Sequence, residues 1–317
     1  MKNQKDKIIV VLGPTASGKS DLAVKLAKQF NGEIISADSR QVYKGLDIGS
    51  GKITKKEMRG IPHYLLDIAS PKNRFTVAQY QKLAKKAIKK IIAKGKIPVI
   101  CGGTAFYIYS LIYDWQLPEV PPQKKLRQKL DKKSVQELFE QLKKLNPQRA
   151  RNIDKDNKRR LVRALEIILT TGKSVIILRQ TQDKKSPYGF LKIGIKKPKK
   201  ELQKLIKIRL EKRLKPRTRI NSVRGKQGMI EEVKNLHGQG LSWKRLDELG
   251  LEYRYISYYL RGLISKEKMI EILNQKIWQF SKRQMTWFKK DKGIKWVKSY
   301  KKTEKLIKIF QGLNFNK

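Results

Sequence analysis

The octapeptide GPTASGKS at residues 13–20 constrains the fold of this chain more than any other feature. It fits the pattern G-x-x-x-x-G-K-[ST], follows the apolar run Ile8 to Leu12, and precedes the helix-like segment SDLAVKLAKQF. Glycines in this position let successive backbone N–H groups turn toward phosphate oxygens, and the start of a helix adds positive potential. The motif therefore predicts a phosphate cradle between a strand and a helix.

Every residue of the octapeptide is a candidate for binding a diphosphate group. Lys19 supplies a positive charge, and the hydroxyl of Ser20 is a candidate ligand for Mg²⁺. A cradle of this kind is typical of enzymes that bind ATP. The candidate diphosphate-binding residues of the cradle are Gly13, Pro14, Thr15, Ala16, Ser17, Gly18, Lys19 and Ser20.

Apolar runs alternate with helical periodicity along the first third of the chain. The runs KIIVVLG, EIISAD and IPVICGG read as strands, and the segments after the first and before the third read as amphipathic helices. One apolar stripe consists of Tyr80, Ala84, Ala87, Ile88 and Ile91. This βαβ rhythm predicts a P-loop NTPase-like α/β fold, in which a parallel sheet core is flanked by helices.

The character of the sequence changes at about Trp115. LPEVPP reads as a proline-rich joint, and helix-type sequence follows as far as Gly172, with a capping box formed by Ser134 and Glu137. The strand-like run FLKIGI then returns the chain to the sheet, and the remainder reads as helical. We predict a catalytic core of residues 1–115 and 190–317, interrupted by a mainly helical insertion over residues 116–189.

Composition narrows the class of protein. The chain holds 75 Lys and Arg against 27 Asp and Glu, a formal charge of +48 that favours a polyanionic partner such as nucleic acid, although codon bias also enriches lysine. The single cysteine, Cys101, excludes a disulfide framework and a multi-cysteine metal site. No apolar run approaches the ~20 residues of a membrane span. We expect a cytoplasmic protein.

The acidic residue that a P-loop ATPase needs is missing where it is expected. The run IPVICGGT ends without a carboxylate, whereas such enzymes place a metal-binding acid at the end of a neighbouring strand. The acid that does follow a predicted strand is Asp38, in EIISADSRQVY. Its position alone allows three roles: a metal-site carboxylate, a general base facing the cradle, or the N-cap of a helix.

Several motifs, in order and spacing, resemble those of the tRNA dimethylallyltransferases, also called tRNA isopentenyltransferases. They are GPTASGKS, IISADSRQVYKGLDIGSGK, IPHYLLDIASP, VICGGTAFYI, RRLVRALEI with TGK, and SKRQMTWF. The resemblance implies transfer of the dimethylallyl group from dimethylallyl diphosphate to N6 of the adenosine 3′-adjacent to the anticodon, with release of diphosphate. The cradle would then hold the donor's diphosphate, and no acid for ATP cleavage is needed.

The resemblance also implies roles for individual residues. Asp38 is the candidate general base, and Thr104 contacts the target nucleotide. The residues implied to contact the anticodon stem-loop of tRNA are Asp38, Ser39, Arg40, Gln41, Thr104, Arg127, Arg159, Arg160, Leu161, Val162, Arg163 and Arg254. By spacing alone, Arg159 and Arg163 share one helix face opposite Leu161, Leu165, Ile168 and Leu169, a pattern also typical of a solvated face.

One departure from the family pattern concerns the arginine that binds diphosphate. The family places it shortly before a helix of the type that here begins GMIEEV at Gly228, but PRTRINSVRGKQ looks like an insertion between the two. Arg213 is therefore one candidate and Arg217 a competing one, with Arg219 behind it. A second departure is DIGSGK, which retains Lys52 in an altered turn.

The remaining candidates receive structural roles. We interpret His63 and His237 as structural or capping residues, so neither indicates a metal site. The aromatic residues of WQFSKRQMTWFKK are interpreted as core and docking residues, and Arg283 is a candidate to contact substrate or brace the site. We expect a monomer. The alternatives left open are an adenylate isopentenyltransferase acting on a free nucleotide, a P-loop small-molecule kinase, and a nucleic-acid-binding protein with a nucleotide switch.

Overall fold

The computed structural model describes residues 6–118, 120–172, 186–218 and 226–312. Its strands are β1 (Lys7–Leu12), β2 (Gly32–Ser36), β3 (His63–Tyr64), β4 (Ile97–Gly102), β5 (Gly189–Ile195), β6 (Arg217–Thr218), β7 (Lys226–Gln227) and β8 (Lys295–Val297). Its helices are α1 (Lys19–Gln29), α2 (Lys55–Met58), α3 (Val77–Ile92), α4 (Ala105–Ile112), α5 (Lys124–Asp131), α6 (Val135–Leu145), α7 (Pro147–Asn152), α8 (Lys158–Thr171), α9 (Lys199–Leu214), α10 (Met229–Gly238), α11 (Trp243–Leu249), α12 (Leu251–Leu260), α13 (Lys266–Lys289) and α14 (Tyr300–Gln311).

A six-stranded sheet in the order β3-β2-β4-β1-β5-β8 forms the centre of the first unit, which comprises residues 1–112 and 186–317. Every pair of neighbouring strands in it is parallel. Leu12, the last residue of β1, pairs with Gly102 of β4 and Gly194 of β5. The cradle therefore leaves the sheet at the carboxyl end of a central strand, where parallel sheets bind ligands. The predicted P-loop NTPase-like core is confirmed.

Helices α1, α3 and α14 cover the sheet because each presents an apolar stripe to it. In α3 the predicted stripe is confirmed, since Tyr80, Ala84, Ala87, Ile88 and Ile91 are all buried. On the face covered by α1 and α14, buried residues of five strands and both helices form one cluster. Burial of each large aliphatic side chain contributes about 1.5–3 kcal/mol, so these stripes hold the helices on the sheet.

The second unit comprises residues 113–185, of which the structure describes 113–118 and 120–172. The sequence predicts this unit over residues 116–189. Helices α5 to α8 enclose a core that includes Leu130, Leu138, Leu142, Leu161 and Leu165. The capping box predicted at the start of α6 is confirmed, and α8 ends at the left-handed Gly172.

The structure corrects three expectations from the sequence. The chain after β5 is not wholly helical, because β8 adds a sixth strand and β6 pairs with β7. These strands are two or three residues long, too short for an alternating pattern to show. Leu169 of α8 and Phe280 of α13, both interpreted as packing residues, are 45% and 41% exposed. The apolar stripe of α8 therefore ends before the helix does.

Within the described residues, every helix is too short or too polar to cross a membrane.

Candidate active site

The octapeptide of residues 13–20 joins β1 to α1 and has the backbone of an anion cradle. Gly18 caps α1 at φ 89°, a left-handed conformation that favours glycine. Ser17 is 2% exposed, and its Oγ has no hydrogen-bond partner within the described chain. Within the described residues, the Lys19 ammonium makes one hydrogen bond, from Nζ to the carbonyl of Pro14 at 3.3 Å. A buried hydroxyl and an ammonium without a carboxylate partner fit a ligand that carries phosphate oxygens.

The electrostatics of Lys19 bring two other elements to the cradle. Burial lowers the pKa of the Lys19 ammonium. The positive charge of Arg209 lowers that pKa further, whereas Cys101 and the carboxylate of Asp38 act in the opposite direction. Arg209 of α9 and Asp38 after β2 therefore lie near the cradle from different parts of the chain.

The two arginines of α9 differ in how many protein partners they have; the Nε of Arg213 is buried without a hydrogen-bond partner, so the role predicted for Arg213 in binding diphosphate stays a prediction. Arg213 donates to the carbonyl of Gly49 at 2.8 Å and to the carboxylate of Glu252 at 3.2 Å. Arg209 is exposed and makes no hydrogen bond or ion pair within the described residues, and Nη2 lies 3.3 Å from where a Cβ on Gly51 would stand. The protein around the guanidinium of Arg209 partly removes it from water, and this desolvation lowers its pKa. The like charge of Arg213 lowers that pKa further.

Sequence reasoning missed Arg209. The signal was its spacing of four residues from Arg213, which places both guanidinium groups on one face of a helix. The prediction instead looked for an arginine closer to Gly228. The backbone of the competing candidate Arg217 lies in β6, and Arg219 lies outside the described residues.

Asp38 and Thr104 are brought together at the ends of β2 and β4. Asp38 Oδ1 accepts hydrogen bonds from the backbone N–H groups of Arg40, at 2.8 Å, and Gln41, at 3.4 Å. Thr104 Oγ1 accepts from the N–H of Ser39 at 3.0 Å, and the N–H of Thr104 donates to the carbonyl of Ala37 at 3.1 Å. A turn follows Asp38 instead of a helix, so the interpretation of Asp38 as a helix N-cap is wrong.

A buried carboxylate holds the loop that borders this segment. Glu232 of α10 accepts from the backbone N–H groups of Asp47, Ile48 and Gly49 at 2.6–3.1 Å, and from the hydroxyl of Tyr253 at 2.9 Å. Burial raises the pKa of Glu232, although these hydrogen bonds oppose the rise. The loop therefore stands in one conformation beside the site.

The same loop immobilises Gln41 and Lys52, two residues that the motifs singled out. Gln41 Nε2 donates to the carbonyl of Gly51 at 3.2 Å, and Gln41 Oε1 accepts from the hydroxyl of Ser36 at 3.3 Å. Lys52 pairs with Asp47 and Asp67 and donates to the carbonyl of Tyr43. Both side chains hold the loop in place, and the tRNA contact predicted for Gln41 stays a prediction.

In the helical unit, two of the predicted tRNA-binding arginines are joined to one buried glutamate. Arg127 makes two hydrogen bonds to Glu166, at 2.7 and 2.8 Å, and Arg163 makes one at 2.5 Å. The N–H of Gln123 donates to Glu166 as well. Burial raises the pKa of Glu166, but these donors outweigh it and hold the pKa at about 2. Arg127 and Arg163 thus stabilise the unit internally.

The other residues of the RRLVR segment divide by exposure. Arg159 and Arg160 are exposed, and Arg160 lies 3.4 Å from the carboxylate of Asp154. Leu161 and Val162 are buried in the core of the unit. Arg159 and Arg160 are therefore the exposed side chains of this segment that could meet a nucleic acid, and the roles predicted for Leu161, Val162 and Arg163 stay predictions.

Three further candidates have structural partners. Arg254 donates to the carbonyl of Asp247 at 3.0 and 2.8 Å. His63 Nδ1 lies 2.8 Å from the carbonyl of Ile61, and burial lowers the pKa of this imidazole. His237 stacks on Trp243, with ring centroids 3.7 Å apart. Across the described residues, no group of three His, Cys, Asp or Glu side chains could hold a metal ion.

Comparisons with known proteins agree on one family. A profile of the IPP transferase family matches residues 41–291. A tRNA dimethylallyltransferase from Anoxybacillus flavithermus is 41% identical over 292 residues, which cover 92% of this chain and 90% of that protein. The crystal structure of a tRNA isopentenylpyrophosphate transferase from Bacillus halodurans matches with a TM-score of 0.70 and 33% identity, over 98% of this chain and 97% of that one. A eukaryotic dimethylallyltransferase captured acting on tRNA matches with a TM-score of 0.74 and 27% identity, over 89% and 69%.

Proposed function

The chain belongs to the IPP transferase family, and from this premise we infer that it is a prenyltransferase that modifies tRNA. The relatives matched in sequence and in structure are named for dimethylallyl or isopentenyl transfer to tRNA, and they match over nearly the whole chain. An adenylate isopentenyltransferase and a small-molecule kinase are therefore not favoured. The proposal rests on one observation above all: the charges of Asp38 and Arg209 act on the Lys19 ammonium of the cradle, although β4 ends without a carboxylate.

The donor in this proposal is dimethylallyl diphosphate. As the prenyl group leaves, negative charge grows on the diphosphate, and preorganised positive groups stabilise that charge most when it is fully developed. In this proposal the backbone amides of the cradle, the Lys19 ammonium and the Arg209 guanidinium carry out this task. Arg213 supports the site by holding Gly49 and Glu252.

The acceptor is N6 of the adenosine 3′-adjacent to the anticodon. In the reaction, N6 forms a bond to the terminal carbon of the prenyl group while the bond from that carbon to the diphosphate oxygen breaks. The proton lost by N6 passes to the carboxylate of Asp38, which acts as general base. Thr104 stands beside Asp38 and supplies a hydroxyl to orient the nucleotide. An adenine flipped out of the base stack would contact Asp38 and Thr104 in this way.

Mg²⁺ is the ion proposed to accompany the donor. Ser20 is an exposed residue at the start of α1, and its hydroxyl is the proposed protein ligand at the cradle. A site with few protein ligands fits Mg²⁺, which is commonly held by phosphate oxygens and water. The bound ion would neutralise part of the charge on the diphosphate.

The proposed grip on tRNA is electrostatic. The exposed Arg159 and Arg160 on α8 and the formal charge of +48 suit an anticodon stem-loop, whose phosphates attract lysine and arginine. We place the reaction in the cytoplasm and take the active form to be a monomer.

A labelling reaction tests the proposal. Incubation with labelled dimethylallyl diphosphate, Mg²⁺ and bulk tRNA should label tRNA; label on free AMP alone would support the adenylate enzyme, and no transfer would refute prenyltransferase activity. Asp38→Ala and Asp38→Asn should each lower kcat by about 10²–10⁴-fold, because the proton acceptor is lost. Asp156→Asn, at an exposed position of the helical unit, is the control. Full activity of Asp38→Ala would remove the assignment of the base.

A further inference from the structure

One side chain of α13 touches both halves of the proposed active site. Gln284 is 7% exposed, and its Oε1 accepts a hydrogen bond from the N–H of Thr15 in the cradle, at 2.9 Å. Its Nε2 donates to the carbonyl of Gly103, also at 2.9 Å. Sequence reasoning interpreted the SKRQMTWF segment mainly as apolar docking, because a contact across 269 positions leaves no local signal.

Gly103 leads directly to the acceptor side of the site. The next residue, Thr104, donates its N–H to Ala37 and accepts a hydrogen bond from Ser39. Asp38 lies between those two residues. A hydrogen-bonded path therefore runs from the cradle through Gln284 and Thr104 to the segment that carries the proposed base.

The chemistry of this bridge requires a neutral amide. Gln284 accepts at one end and donates at the other, whereas a carboxylate would set an oxygen against the carbonyl oxygen of Gly103, and an ammonium could not accept from Thr15. The amide also comes so close that a Cβ on Gly103 would lie 2.4 Å from Nε2, which explains why β4 is followed by glycine there. The bridge therefore depends on both residues.

The bridge also fixes which cradle amides face a ligand. The Thr15 N–H is used by Gln284, and the Ser17 N–H donates to the carbonyl of Pro14 at 3.4 Å. The later amides of the octapeptide that remain for the diphosphate are therefore those of Ala16, Gly18, Lys19 and Ser20. An amide held by protein cannot turn to a phosphate without breaking that bond. The leaving group is thereby placed toward Lys19 and Ser20.

We propose that Gln284 is a positioning residue that sets the distance between the leaving-group site and the Asp38–Thr104 acceptor site. This inference rests on the proposed function. Since a misplacement of about 1 Å between reacting groups costs up to about 100-fold in rate, losing the bridge should lower kcat while each substrate still binds.

The test compares three variants in the labelling reaction. Gln284→Met keeps the length of the side chain and removes both hydrogen bonds, Gln284→Glu keeps the acceptor alone, and Gln279→Met alters an exposed glutamine of the same helix as control. Gln284→Met should lower kcat by about 10–100-fold. The dissociation constants for dimethylallyl diphosphate and for tRNA, each measured alone, should stay within about threefold of the wild-type values, because neither ligand loses a direct contact.

The pH profile of Gln284→Glu separates positioning from simple structural support. When protonated, the introduced carboxyl again donates toward Gly103 and accepts from Thr15, and burial raises its pKa above the usual ~4.3. Its kcat relative to wild type should therefore recover as the pH falls from 8 to 6. A kcat for Gln284→Met equal to that of Gln279→Met, or a loss explained wholly by unfolding, would overturn the inference. Absence of transfer by the wild-type protein would overturn both this inference and the proposed function.

Discussion

The catalytic core and the helical unit use arginine in opposite ways. Beside the cradle, Arg209 lies close to two other cations, Lys19 and Arg213, and makes no ion pair within the described residues. In the helical unit, Arg127 and Arg163 share the buried carboxylate of Glu166. A cationic group without a protein anion is poised to bind an anionic ligand, whereas a paired one stabilises the fold.

The difference shows that membership of a basic motif does not decide the role of a residue. The RRLVR segment resembles a single tRNA-binding unit, yet its last arginine is fixed by Glu166 and its first two are exposed. Likewise, Arg213 lies nearer to the expected motif than Arg209, but Gly49 and Glu252 already bind its two terminal nitrogens. Partners in space separate binding residues from structural ones.

Among the arginines compared, the largest effect is expected in the core, from Arg209→Met. Removing the unpaired guanidinium should lower kcat/KM for dimethylallyl diphosphate by about 10²–10³-fold, because charge on the leaving group loses a stabilising partner. The affinity for tRNA should change little. Steady-state kinetics with each substrate varied in turn provides the measurement.

Lys207→Met serves as the control for that experiment, since Lys207 is an exposed cation on the same helix. A loss of equal size in both variants would mean that the overall charge of α9 matters and that the position of Arg209 does not. The contrast between the two regions would then fail on the core side.

An effect of intermediate size is expected in the helical unit when the pH is lowered. The folded-state pKa of Glu166 is about 2, below the ~4.3 of an unfolded chain, so its stabilisation is complete above about pH 4.5 and is lost as the pH falls toward 2. Hydrogen exchange of amides in α6 and α8, corrected for intrinsic rates, should report weaker protection at pH 3 than at pH 5.

Glu166→Gln provides the matched variant. It removes the charge that Arg127 and Arg163 share and should cost the unit about 3 kcal/mol at pH 7, while abolishing this part of the pH dependence. Glu232 in the core responds with the opposite sign, because its raised pKa makes its contribution decline as the pH rises through the folded-state pKa. Unchanged protection in Glu166→Gln would show that the arginines are not held by this carboxylate.

The smallest effect is expected from the exposed arginines. Arg159→Ala and Arg160→Ala should each weaken tRNA binding by a few-fold and reduce the slope of log affinity against log salt by about 1, as expected when one phosphate contact is lost. Binding titrations between about 50 and 200 mM salt measure both quantities. An undiminished slope in the double variant would move the tRNA contact away from α8.

Local patterns were sufficient to predict the core of the fold. The cradle, the stripe of α3 and the capping box of α6 each lie within one segment, where spacing carries the information. Features that depend on distant parts of the chain could not be predicted. The strand β8 is only three residues long, and the exposure of Phe280 depends on its distant neighbours. Gln284 shows the limit most clearly, because the reason for its residue type is the space between Thr15 and Gly103.

The position of β1 in the sheet has a consequence during synthesis. Lys7 of this strand pairs with Gly189 of β5, which leaves the ribosome about 180 residues later, or about 10–40 s at ordinary rates of translation. Until then one edge of KIIVVL has no partner, and such an apolar edge is a template for aggregation. The helical unit is completed within this interval. Lengthening residues 113–185 would prolong the exposure of β1, so the yield of folded enzyme should depend on the length of a segment whose described part, residues 113–118 and 120–172, contributes no strand to the sheet.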